Sequence, residues 1–172
     1  LLDVSGSMNS VDKLPLLKAA VLDMLSMMRE EDKISVVVFS GKANVLLKPV
    51  SFKEETKIRK AINNLKSSGK TDAAAGIKLA YRVADDNYIR GGNNRIILAT
   101  DGEFPIDENT RELVGNFASE DIFLTIFNFG KGTGSSKSLE VLAKTGRGNY
   151  EHISRENAQS KLIREAKSKR KK

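Results

Sequence analysis

The sequence predicts an α/β fold with a mostly parallel sheet and helices on both of its faces. Three observations lead there. Strand-length apolar runs alternate with segments of helical period along the whole chain. The run at 34–39 is almost continuously β-branched or aromatic, as in a strand buried on both faces. Only one pair of neighbouring runs is too close in sequence for a crossover helix, so only that pair must be antiparallel.

The elements follow in order. Residues 1–4 read as the end of a strand, and Asn9-Ser10 as a turn. Leu14, Leu17, Val21, Met24 and Met28 recur at helical spacing, which predicts an amphipathic helix over 12–30 with its methionines at or near the core. Strands at 34–39 and 45–50 are joined through Ser40-Gly41-Lys42 and make the antiparallel hairpin. Ile58, Ile62 and Leu65 mark a helix over 54–66, and the loop 67–71 leads to an alanine-rich helix at 72–87 with Asp72 as its cap. A strand at 95–100, a helix at 107–119 and a strand at 122–129 come next. A Gly/Ser loop at 130–136, a short helix at 137–144, a strand at 149–153 and a helix at 155–168 complete the chain. There is no internal repeat and no linker. The reading is one domain over 1–160, followed by the end of the last helix and a basic tail at 161–172. The chain opens on Leu1 inside an apolar strand and closes on Lys and Arg, so it reads as a segment of a longer protein with its first strand truncated.

Composition narrows the chemistry. Of 172 residues, 40% are hydrophobic and 30% charged, the balance of a chain able to bury a core. No apolar run is long enough to cross a bilayer as a helix. The absence of cysteine excludes disulfides, thiol catalysis and thiolate metal sites, and His152 as the single histidine excludes a multi-histidine centre. The net charge is +7, but residues 161–172 hold seven basic residues and one acid. The first 160 residues are therefore nearly neutral at +1.

On a sheet of this kind function gathers beyond the carboxyl ends of the strands, where strand order reverses. Three segments put oxygen-bearing side chains there: Asp3, Ser5 and Ser7 after the first strand, Thr71 in the loop before the alanine-rich helix, and Asp101 after the strand at 95–100. Gly6 allows a tight turn between the serines. Two carboxylates and three hydroxyls, without nitrogen or sulfur, suit a hard divalent cation: Mg²⁺ or Mn²⁺, with Ca²⁺ less suited. Only two of the five ligands are charged, so the ion would retain positive character and seek an anionic oxygen from outside.

The segments Asp-Val-Ser-Gly-Ser-Met at 3–8, Gly-Lys-Thr at 69–71 and Ala-Thr-Asp-Gly at 99–102 resemble the metal-ion-dependent adhesion site of von Willebrand factor type A domains. The order of elements matches over essentially the whole chain, and 139–143 and 146–150 resemble bacterial members. The resemblance implies a Rossmann-like, doubly wound sheet of six strands in the order 3-2-1-4-5-6, with strand 3 antiparallel. It implies that Ser5 and Ser7 bind the metal directly, Thr71 directly when the site is open, and Asp3 and Asp101 directly or through water. A partner protein's Asp or Glu carboxylate would complete the shell. Met8, Asn9, Glu103 and Phe104 flank the metal loops and are candidates for a contacting rim, with local packing the alternative for Met8 and Phe104. The function implied is noncatalytic, metal-dependent protein binding, with no small-molecule substrate and no nucleic acid, in a cell-envelope or extracytoplasmic setting. Two departures stand out. Asp72 after Thr71 either caps its helix or adds negative charge near the metal, and Glu103 beside Asp101 can do the same.

Competing readings are weaker. Gly69-Lys70-Thr71 ends like a phosphate loop, but Asn64 stands where that motif needs glycine. The 130–134 loop lacks the third glycine of a dinucleotide fingerprint, which falls on Ser135. A metal-dependent phosphohydrolase places a second Asp where Ser5 stands, and His152 has no evident Ser or Asp partner, so it reads as a surface or strand-edge residue. Binding of an anionic surface through the 161–172 tail is the remaining alternative.

Overall fold

The structure is a computed structural model describing residues 1–102, 104–129, 136–154, 157 and 160. Its six strands are β1 (Leu2–Asp3), β2 (Lys33–Phe39), β3 (Ala43–Ser51), β4 (Asn94–Thr100), β5 (Ile122–Phe129) and β6 (Arg147–Ile153). They form one sheet in the order β3-β2-β1-β4-β5-β6, parallel throughout except for the β2–β3 hairpin. The order and the single antiparallel pair are those expected from the sequence.

Among the described residues five α-helices cover the sheet: α1 (Leu14–Leu25), α2 (Glu55–Asn63), α3 (Ala73–Asp86), α4 (Glu108–Ser119) and α5 (Lys137–Thr145). Successive strand residues point to opposite faces, so each strand feeds two cores. In β5, Leu124 and Ile126 join a cluster with Ile77 and Tyr81 of α3, Val114 of α4 and Leu139 and Leu142 of α5. Phe127 and Phe129 join the opposite cluster, with Leu17 and Leu25 of α1 and Ile58 and Ile62 of α2. A sheet buried on both faces is what the apolar run at 34–39 required.

Several boundaries differ from expectation for local reasons. α1 is shorter than 12–30. Pro15 lies in its first turn, where the fixed φ and missing N–H are tolerated. At the other end the Met27 and Met28 N–H groups bond to Met24 and Leu25 carbonyls, and Asp32 captures the Arg29 N–H at 2.8 Å. The i→i−3 bonds let the methionine stripe continue without α-helix, and Met24 and Met28 pack against the core. The expected 54–66 helix is a 3₁₀ turn, Phe52–Glu54, then α2, while Leu65 still reaches the core from beyond the helix end. A 3₁₀ turn also occupies Gly6–Met8, where no element was expected. Asp72 does cap α3, accepting the Ala75 N–H at 3.1 Å. The 130–135 loop and the 161–172 tail lie outside the described residues, as does nearly all of the expected 155–168 helix. His152 sits on β6, an edge strand.

α3 matters most to the functional end, because Thr71 and Asp72 precede it. It lies so close to β2 that a Cβ on Gly76 would meet Phe39 ring atoms at 2.8 Å. Gly76→Ala should therefore push α3 off the sheet and lower stability by about 1–3 kcal/mol, read as a fall in the urea midpoint at unchanged slope. Farther along α3, the ring of Tyr81 is fully buried and stacks on Phe117 at 4.9 Å. Its hydroxyl has no hydrogen-bond partner among the described residues, and burial pushes the phenol well above its usual range. Tyr81→Phe removes that unmet group and should raise stability by about 1 kcal/mol; a lowered melting temperature would contradict this.

Candidate metal centre

β1 is the middle of the sheet and pairs on one side with β2 and on the other with β4. The chain leaves β1 toward one half of the sheet and enters β4 to build the other, so the loops beyond these two strands part at the switch point. Leu2 is in register with Ala99, which sets Asp3 beside Thr100 at the paired strand ends.

Asp3 is buried, at 1% exposure. One carboxylate oxygen, Oδ1, accepts the Ser5 N–H at 2.9 Å, and Oδ2 accepts the Thr100 hydroxyl at 2.8 Å. A carboxylate removed from water needs such donors, or its desolvation would be uncompensated. The 3₁₀ turn then brings Ser5 Oγ within 3.0 Å of Ser7 Oγ, and the Ser7 hydroxyl donates to Asp101 Oδ1 at 3.0 Å. Four of the five expected ligands thus form one chain: Asp3, Ser5, Ser7 and Asp101.

Thr71 is the fifth. It stands exposed, and its hydroxyl makes no hydrogen bond among the described residues. Its loop is nonetheless fixed against the first. The Gly6 N–H donates to the Gly69 carbonyl at 2.9 Å, Ser68 N–H to Val4 at 2.8 Å, and Asp72 N–H to Ser40 at 2.6 Å. Gly69 takes a positive φ of 81°, a turn that suits glycine.

Two of the four rim candidates, Met8 and Phe104, pack inward instead. Met8 is fully buried and Phe104 is buried at 9%. The 3₁₀ turn rolls Met8 inward to the α1 side of the core, and Phe104 joins the α3 side. Neither presents an apolar surface to a partner. Asn9 is exposed beside the turn, and Glu103 lies outside the described residues.

Two residues outside the expected ligand set belong here. Thr100 supplies the second hydrogen bond to Asp3. Lys13, immediately before α1, places its ammonium 2.5 Å from Asp101 Oδ2 and 2.9 Å from the Ser7 carbonyl. The Asp101 side chain is 6% exposed and that of Lys13 26%, so this is a largely enclosed ion pair.

The donor set is oxygen alone, hydroxyls and carboxylates within hydrogen-bond reach of one another, the kind that a hard divalent ion takes. Among the described residues no group of three or more His, Cys, Asp or Glu side chains is placed to hold a metal, so a metal bound at this pole would need the hydroxyls as ligands.

Residues 1–103 match the family model of the von Willebrand factor type A domain. The chain belongs to that family. It is 33% identical over 157 residues to the uncharacterized protein YfbK of Escherichia coli (strain K12), covering 89% of this chain. It spans only 27% of that protein's length. Its fold is similar to that of an aerotolerance-related membrane protein of Bacteroides fragilis NCTC 9343, solved with multiple mutations to serine. That match has a TM-score of 0.74 and 22% identity, covering 97% of this chain and 96% of the other. Proximal thread matrix protein 1 of the mussel byssus, solved with a zinc-occupied MIDAS motif, is similar at a TM-score of 0.76 and 20% identity. That likeness covers 97% of this chain and 43% of the mussel protein.

Thr100→Val keeps the shape of the side chain but leaves Asp3 with one donor. It should cost about 1.5–3 kcal/mol in chemical denaturation, the range for a hydrogen bond to a charged group. Thr100→Ser should restore most of the loss. A Val variant as stable as the parent would mean that Asp3 does not depend on this bond.

Proposed function

We propose that this von Willebrand factor type A domain is a noncatalytic protein-binding module that works through a divalent cation, Mg²⁺ or Mn²⁺. Ser5, Ser7 and Asp101 would hold the ion, with Asp3 bracing their loop and Thr71 joining from the second. The bound ion supplies Lewis acidity toward an anionic oxygen, and an Asp or Glu carboxylate on a partner protein is the fitting ligand. The observation that carries this reading is the chain Ser5 Oγ–Ser7 Oγ–Asp101 Oδ1, with two 3.0 Å steps at the sheet's switch point. Asn9, exposed next to it, is the polar contact within reach of a partner.

The same geometry argues against hydrolysis through Asp3. A carboxylate that attacks phosphorus must meet its substrate, and Asp3 is buried with both oxygens already accepting hydrogen bonds. We also propose an envelope or extracytoplasmic setting, in keeping with the membrane-protein description of the Bacteroides fragilis structure.

Titration calorimetry with Mg²⁺ and with Mn²⁺ tests the metal assignment. The parent chain should give a saturable one-site heat, and Asp101→Ala should weaken binding at least tenfold. Equal isotherms for the two proteins would remove Asp101 from the site and the proposal with it.

A further inference from the structure

Lys13 is not among the residues assigned to the ion, yet it touches two groups of the site. We infer that Lys13 is a tethered cation that competes with the divalent ion for Asp101 and thereby sets the affinity of the centre. This rests on the metal reading above.

The geometry is direct. Of the two Asp101 oxygens, Oδ1 accepts from Ser7 and Oδ2 is taken by the Lys13 ammonium at 2.5 Å. The ammonium is also held by the Ser7 backbone carbonyl at 2.9 Å, so its position is set by two acceptors. Its own backbone is anchored, since the Lys13 N–H donates to the Ser10 carbonyl at 3.1 Å and its carbonyl accepts the Leu17 N–H at 2.8 Å. The ammonium thus reaches the loop from a fixed backbone position.

Charge counting gives the consequence. Asp3 and Asp101 alone would face a cation with two negative charges, and Lys13 reduces this to one. A divalent ion approaching Asp101 either displaces the ammonium from Oδ2 or accepts its repulsion across a few ångströms. Both weaken binding, and the pair's enclosure limits the screening that would blunt the effect in open solvent. Once the ion is bound, the same ammonium adds to the positive field. Counting Asp3, Asp101 and Lys13, the loaded site would carry a net +1 and the metal-free site −1. An acidic partner would be repelled by the second and attracted by the first. Lys13 thus sharpens the contrast between the two states while lowering metal affinity.

A purely structural role makes the opposite prediction. If Lys13 only braces the Ser7 loop, removing it loosens the ligands and metal binding weakens. The experiment compares the parent chain with Lys13→Met and Lys13→Arg at pH 7 by Mn²⁺ calorimetry, with bound Mn²⁺ counted independently by electron paramagnetic resonance. Lys13→Met should bind Mn²⁺ about tenfold tighter, the scale on which one adjacent charge shifts an equilibrium. Lys13→Arg, which keeps the charge, should stay within about threefold of the parent. The Mg²⁺-induced rise in melting temperature should be larger for Lys13→Met than for the parent, even if its metal-free melting temperature is lower. Lys13→Gln serves in place of Met if the Met variant does not fold. Equal or weaker Mn²⁺ binding by the neutral variants overturns the role of Lys13 alone. Absence of Mn²⁺ binding in parent and variants alike overturns the metal reading, and this inference with it.

Discussion

The functional end of this domain depends on one buried charge. Asp3 ends the central strand at 1% exposure, and a carboxylate there survives only because two donors meet it. One donor, the Ser5 N–H, belongs to the loop that Asp3 begins, and the other, Thr100, ends the neighbouring strand. The pairing does two things at once. It curls the first loop back on its own strand, and it couples that loop to β4, from which Asp101 follows directly. The serine turn and Asp101 are brought together by the need to solvate Asp3 internally.

Around that point the rest of the fold acts as a frame. The two cores on opposite faces of the sheet fix β1 from above and below, and the backbone bonds from Gly6 to Gly69 and from Asp72 to Ser40 lash three loops together. Gly76 allows α3 to lie directly on Phe39, so the helix that follows Thr71 has no slack with which to retreat. The hydroxyls and carboxylates at the pole are thus held by packing several residues away.

Most of this was legible in the sequence, for reasons that differ by element. Strands and helices were readable because their apolar periods are unbroken, and the hairpin because Ser40-Gly41-Lys42 leaves no room for a helix. Asp3, Ser5 and Ser7 were legible as a group because they are adjacent in the chain, and Asp101 because it directly follows a strand. What could not be read were consequences of contact. Lys13 and Asp101 are 88 residues apart, and nothing in either neighbourhood marks the pair. Thr100 looks like the last residue of a strand until the register sets it beside Asp3. Met8, a rim candidate by its position after Ser7, is turned into the core by a three-residue 3₁₀ turn too short to leave a period. The early end of α1 has the same origin, since the methionine stripe continues through turns that keep the period but abandon the helix.

The edge strand β3 has a bearing on how copies of the domain can meet. Its register against β2 slips twice, leaving Leu46 and the Lys48-Pro49 pair out of step with the partner strand. Proline brings no N–H to a ladder, an exposed lysine resists burial, and each bulge bends the strand. Val45 and Leu46 are partly exposed on this edge, at 37% and 44%, yet the backbone beside them offers no long straight template. Domains crowded side by side would therefore find it hard to fuse their sheets into a continuous ribbon through β3. That edge can stand among its neighbours without zipping to them, leaving the loop pole to decide what the molecule holds.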